Sequence, residues 1–69
     1  MRISARNQLP GKIETVKPGA TTAHITIKLD GGATVVASIT NEAVTELGLQ
    51  QGDSVYAVIK ASDVMVGKA

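Results

Sequence analysis

Ala23-His24-Ile25-Thr26-Ile27-Lys28-Leu29-Asp30-Gly31-Gly32 is the stretch that decides the fold. Ala23, Ile25, Ile27 and Leu29 fall on one face of an extended chain, and His24, Thr26 and Lys28 fall on the other. That alternation is the period of a strand with one face buried. On the polar face, His24 reads as a plain exposed histidine. Asp30-Gly31-Gly32 follows, and Thr34 to Thr40 is again β-rich. An Asp-Gly pair between two such runs predicts a hairpin, because its tight turn needs residues that tolerate positive φ.

Upstream, Lys12 to Lys17 carries Ile13 and Val16 and reads as another strand, ended by the turn pair Pro18-Gly19. Downstream, Asn41 to Leu47 breaks the alternation. Val44 and Leu47 are three apart, and Glu42 sits in a first turn. Thr40 or Asn41 can cap the start, and Gly48 stands where a left-handed terminator belongs, so the segment predicts a helix of about two turns. Gln50-Gln51-Gly52-Asp53 reads as a turn into a strand at Val55 to Lys60. A short break at Ser62-Asp63 then precedes a last strand at Val64 to Val66. The order is three strands, a helix, two strands. It predicts an all-β domain over residues 1–69, a five-stranded OB-fold-like Greek-key barrel with one short helix between strands 3 and 4.

Composition says what such a domain needs. The chain has 69 residues, 43% of them apolar, with no cysteine and one histidine. A core this small returns little more than its ordering cost, about 1.5 kcal/mol per residue, so a staple is required. Disulfides and thiolate zinc are excluded without cysteine, and one histidine cannot build a histidine metal site within one chain. The remaining staple is oligomerisation. Seven Lys and Arg against six Asp and Glu, with Tyr56 the only aromatic residue, lack the basic excess and stacking platforms of a nucleic-acid module. Tyr56 itself suits either core or interface. No apolar run approaches the ~20 residues that span a bilayer. Residues 1–8 lack the apolar core of a signal peptide, and a cytoplasmic location is expected. The acids Asp30, Glu42, Asp53 and Asp63 fall at turns or on polar faces, and no phosphate-binding loop or nucleophile elbow is present. The expectation is a binding protein, not an enzyme.

The remaining polar residues are donors. Ser4, Arg6 and Asn7 cluster a hydroxyl, a guanidinium and an amide, with Ser4 and Arg6 on one face of an extended segment. Lys60 ends a strand, with Ser62 two residues on. Thr40 lies at a helix start, where free N–H groups favour negative charge. A fully ionised tetrahedral oxyanion wants donors only, whereas a phosphate that keeps a proton also wants an acceptor. Donors alone therefore favour a dianion such as molybdate, tungstate or sulfate. The plainer alternative for each residue is a solvated arginine, an edge-protecting lysine and a simple helix cap.

Ser4-Ala5-Arg6-Asn7-Gln8-Leu9-Pro10-Gly11-Lys12-Ile13 closely resembles the signature of the Mop family, the molbindins. Ile39-Thr40-Asn41-Glu42, Glu46-Leu47-Gly48-Leu49, Gly52 and Tyr56 to Met65 agree in order, so the resemblance covers essentially the whole chain. It implies an OB-fold subunit in a homo-oligomer, a hexamer built as a trimer of dimers. It also implies molybdate or tungstate bound between subunits, and a role in intracellular storage and homeostasis. Carried over by position, the oxyanion site comprises Ser4, Ala5, Arg6, Thr40, Lys60, Ala61 and Ser62, and a second site falls at Gly19, Ala20, Thr21 and Thr22. No further cofactor, nucleic acid or membrane partner is implied. Two positions depart from the pattern. Ala43 stands where many relatives carry Ser, and Pro10 where relatives often carry Lys. The alternative is a structural or regulatory OB-fold interaction module without a storage role.

Overall fold

A computed structural model describes residues 1–69. β1 (Asn7–Pro18), β2 (Thr22–Leu29) and β3 (Thr34–Thr40) are followed by α1 (Asn41–Leu47), β4 (Ser54–Ile59) and a 3-10 turn at Ala61–Asp63. The four strands form one antiparallel sheet in the order β3-β2-β1-β4.

The alternation in β2 packs as its pattern dictates. Ala23, Ile25 and Ile27 are buried, Leu29 is half-buried, and His24 and Lys28 are exposed. Opposite them on β3 stand Ile39, Ala37 and Val35, all half-buried, while Thr34, Val36, Ser38 and Thr40 face out. On β1, Ile13 and Val16 both face inward although they are three apart, which a regular strand forbids. The register slips between Ile13 and Thr15, so Ile13 stays opposite Ile27 and Val16 moves opposite Ile25. Glu14 is the extra residue of a β-bulge, and the bulge turns the odd spacing into one apolar face. It also bends β1, which pairs with β4 through its first half and with β2 through its second.

Gly11 stands where β1 meets both neighbours. A Cβ there would come within 2.5 Å of the Lys28 carbonyl oxygen, so only glycine fits. Pro10, one residue earlier, has only β4 as a ladder partner, and its carbonyl accepts the Asp30 N–H. Its missing N–H therefore costs no ladder bond.

The helix forms where its spacing predicts. The Thr40 hydroxyl accepts the Ala43 N–H at 3.0 Å, and Gly48 terminates the helix in the left-handed region with φ 63°. The turn before β4 is closed by the Asp53 carboxylate, which accepts the Gln50 N–H at 2.9 Å.

The predicted fifth strand does not form. The Lys60 and Ala61 carbonyls accept the Asp63 and Val64 N–H groups, which makes a 3-10 turn where a two-residue break was expected. Beyond it, Val64, Met65 and Val66 meet no strand of their own chain. A three-residue strand needs a partner edge, and Met65 and Val66 are left 93% and 96% exposed. The sheet is accordingly a half-barrel with β3 and β4 as free edges. Its concave side holds an open apolar groove of about 710 Å³, lined among others by Val35, Ala37, Ile39, Leu49, Val55 and Ile59. Tyr56 is not in the core: it is 55% exposed, at the margin of this groove.

Candidate oxyanion site

Pairing places the polar segments at two ends of the sheet. Asn7 lies opposite Ile59, the first and last residues of that β1–β4 ladder. Ser4, Ala5 and Arg6 therefore enter the sheet beside the point where Lys60, Ala61 and Ser62 leave it. Two amides brace the junction. The Asn7 side chain donates to the Ile59 carbonyl at 3.1 Å, and the Gln8 side chain donates to the Ala5 carbonyl at 3.2 Å. Bracing by Gln8 occupies the Ala5 carbonyl, and the N–H groups of Ser4, Ala5 and Arg6 have no backbone acceptor. The N–H groups of Ala61 and Ser62, in the first turn of the 3-10 segment, are equally uncommitted. Backbone N–H, two hydroxyls, a guanidinium and an ammonium thus collect at one end.

Charge follows the same division. Residues 1–6 and 60–69 hold Arg2, Arg6, Lys60 and Lys68 against Asp63 alone, a net +3. The rest of the chain holds Lys12, Lys17 and Lys28 against Glu14, Asp30, Glu42, Glu46 and Asp53, a net −2. A chain with a formal charge of +1 thus keeps its positive excess in the two segments that carry these donors.

Thr40 is at the other end. It lies opposite Thr22, where β2 begins, and the Asn41 N–H donates to the Thr21 carbonyl at 2.9 Å. Gly19, Ala20, Thr21 and Thr22 form the turn between β1 and β2, closed by the Gly19 N–H on the Thr22 carbonyl at 2.7 Å. The Ala20 and Thr21 N–H groups have no backbone acceptor. With the Thr40 oxygen engaged by Ala43, its hydroxyl proton is free to be donated. Ala43 supplies the N–H that this cap receives, but no hydroxyl of its own. Between the two ends run the twelve residues of β1, roughly 35 Å of path at ~3.3 Å per residue. One chain brings Ser4–Arg6 to Lys60–Ser62 and brings Thr40 to Gly19–Thr22. No ladder pair or hydrogen bond joins the two groups to each other.

Sequence reasoning passed over three residues. Gln8 was read only as part of a motif, Asn41 only as part of a motif and a possible helix cap, and Asn7 only as a donor. All three act as braces. The signal was present in Asn7 and Gln8, two amides directly following the donors in an otherwise alternating stretch.

A small curled antiparallel sheet with one capped helix and donor-rich strand ends defines the class, a small β-barrel-type binding domain. The chain belongs to the TOBE-domain family, whose model matches residues 3–66, and within it to the Mop proteins. It is 44% identical over 66 residues to molybdenum-pterin-binding protein 3 of Clostridium pasteurianum, covering 96% of this chain and 97% of that one. Its fold is similar to that of MopII from Clostridium pasteurianum, with a TM-score of 0.91 at 40% identity over 97% of this chain and 100% of that one. It is similar also to a molybdate-binding protein from Sporomusa ovata, with a TM-score of 0.92 at 37% identity over 99% and 100% of the two chains.

Proposed function

We propose that this chain binds molybdate or tungstate at the seams of a homo-oligomer and serves their storage and homeostasis inside the cell, without catalysing a reaction. The observation that carries the reading is the donor set at one end of the sheet. Ser4, Ala5, Arg6, Lys60, Ala61 and Ser62 offer N–H and O–H groups and two fixed positive charges, with no carboxylate among them. Arg6 and Lys60 balance a dianion, and charge-assisted bonds are about twice as strong as neutral ones. The names of the relatives, which speak of molybdenum and molybdate, support the first of these two ions.

The need for several copies has two supports. Thr40 and the Gly19–Thr22 turn stand at the opposite end of β1 from the other donors and share no pairing or bond with them, so the proposed site draws the two groups from different chains. The apolar groove and the exposed Val64, Met65 and Val66 are the second support. Burying them is worth about 25 cal/mol per Å² of apolar surface, which the lone chain forgoes. The hexamer, a trimer of dimers, is the arrangement that the family resemblance implies. Placing the ligand between subunits excludes water, strengthens each bond and makes binding and assembly stabilise each other.

Titration calorimetry with molybdate, tungstate, sulfate and phosphate tests the reading. Heat with molybdate and tungstate, little with the smaller sulfate and none with protonated phosphate is expected. A folded oligomer that takes up no molybdate would end it.

A further inference from the structure

We infer that Asn41 is a positioning residue that holds the Gly19–Thr22 turn against the end of β3, so that the turn and the Thr22 and Thr40 hydroxyls present one rigid donor surface. This rests on the oxyanion reading above and deepens it.

Three observations meet at Asn41. Its side-chain Nδ2 donates to the Gly19 carbonyl at 2.9 Å, across 22 residues of sequence. Its backbone N–H donates to the Thr21 carbonyl at 2.9 Å. The turn is thus gripped at both sides of Ala20, and the Ala20 and Thr21 N–H groups between the grips stay uncommitted. Thr22 and Thr40, directly opposite in the β2–β3 ladder, bring their side chains to the same face. The third observation is a cost. The Asn41 Oδ1 is buried and has no hydrogen-bond partner. Reversing the amide would set Oδ1 against the Gly19 carbonyl, so the clamp fixes the orientation and orphans the oxygen. Buried polar groups are ordinarily satisfied. An apolar residue would avoid the orphan but would lose the grip on Gly19. The amide is therefore tied to the turn, not to the packing around it.

The clamp predicts a specific coupling. Asn41→Ala releases the turn, and Thr22→Val removes one hydroxyl from the surface the turn helps to form. If Asn41 acts through that surface, the two losses overlap. The experiment is a double-mutant cycle on sodium molybdate affinity by titration calorimetry, using the full chain. Urea unfolding is followed on the same samples, and amide hydrogen exchange is followed across residues 19–22. The expected result is a roughly tenfold weaker affinity for Asn41→Ala, with faster exchange in the turn. The double variant should be no more than about twofold weaker than the poorer single one. Asn41→Asp keeps the size, loses the donor and should behave like Asn41→Ala or worse. Unchanged affinity in both Asn41 variants overturns the inference. So do fully additive losses that track the urea midpoint, because they mark Asn41 as a structural residue only. A wild-type protein that binds no molybdate removes the oxyanion reading itself, and this inference with it.

Discussion

Asn7 and Ile59 face each other at the end of the β1–β4 ladder, and the Asn7 side chain donates to the Ile59 carbonyl. That bond fixes where the N-terminal donors stand relative to Lys60. Removing it with Asn7→Ala leaves the partly buried Ile59 carbonyl short of a donor, a loss of about 1 kcal/mol. Molybdate affinity measured by calorimetry should fall about fivefold while the circular dichroism spectrum stays unchanged. Full retention of affinity would show that the junction holds itself.

Arg6→Ala and Lys60→Ala each remove one charge-assisted donor, worth about 1.5–3 kcal/mol. Each should weaken molybdate binding roughly ten- to a hundredfold. Sedimentation should still show the assembled protein for both. Normal binding by both variants would mean that the ligand sits elsewhere on the molecule.

Thr40 has an observed duty as the helix cap and a proposed one in the oxyanion site, and the two separate on substitution. Thr40→Ala loses the cap on Ala43 and should cost about 1 kcal/mol of stability. Thr40→Ser keeps cap and hydroxyl and should restore both stability and binding. A thermal melt is the readout for the first and calorimetry for the second. A melting temperature unmoved by Thr40→Ala would show that α1 does not depend on this bond.

Gly11→Ala puts a methyl group 2.5 Å from the Lys28 carbonyl oxygen, backbone against side chain, with no flexible neighbour to yield. Overpacking of this kind costs about 1–3 kcal/mol. In so small a domain the expected outcome is a large drop in the urea midpoint. A wild-type midpoint would mean that β1 and β2 can separate locally without penalty.

Met65→Asp or Val66→Asp places a charge on the exposed apolar tail. If the tail is buried between copies, either variant should shift the protein toward smaller species in sedimentation or light scattering. An assembly unmoved by both charges would free the tail from any part in it.

Most of the fold was legible because β2 alternates without interruption and the Thr40 and Gly48 signals bracket α1. The β1 bulge was half legible: Ile13 and Val16 announced an inward face, but their odd spacing has meaning only once β2 supplies the register. Val64–Val66 misled because a run of strand-forming apolar residues records a side-chain preference, not the presence of an edge to pair with. At the donor clusters, residue types were visible in the sequence, yet their grouping was not. Whether Thr40 stands beside Arg6 or a strand away is set by pairing, which no local pattern contains. Asn41 carried a cap signal, and its amide reached instead across the chain to Gly19.

If the proposed shared site holds, the length of β1 has one more effect, on supply and demand. A pocket completed by groups from opposite ends of different chains fills in proportion to assembled complexes, not to polypeptides. Capacity then climbs more steeply than expression, and dilution sheds cargo even when the ion's own concentration is unchanged. Synthesis and turnover of the chain would by themselves regulate how much metal a cell sets aside.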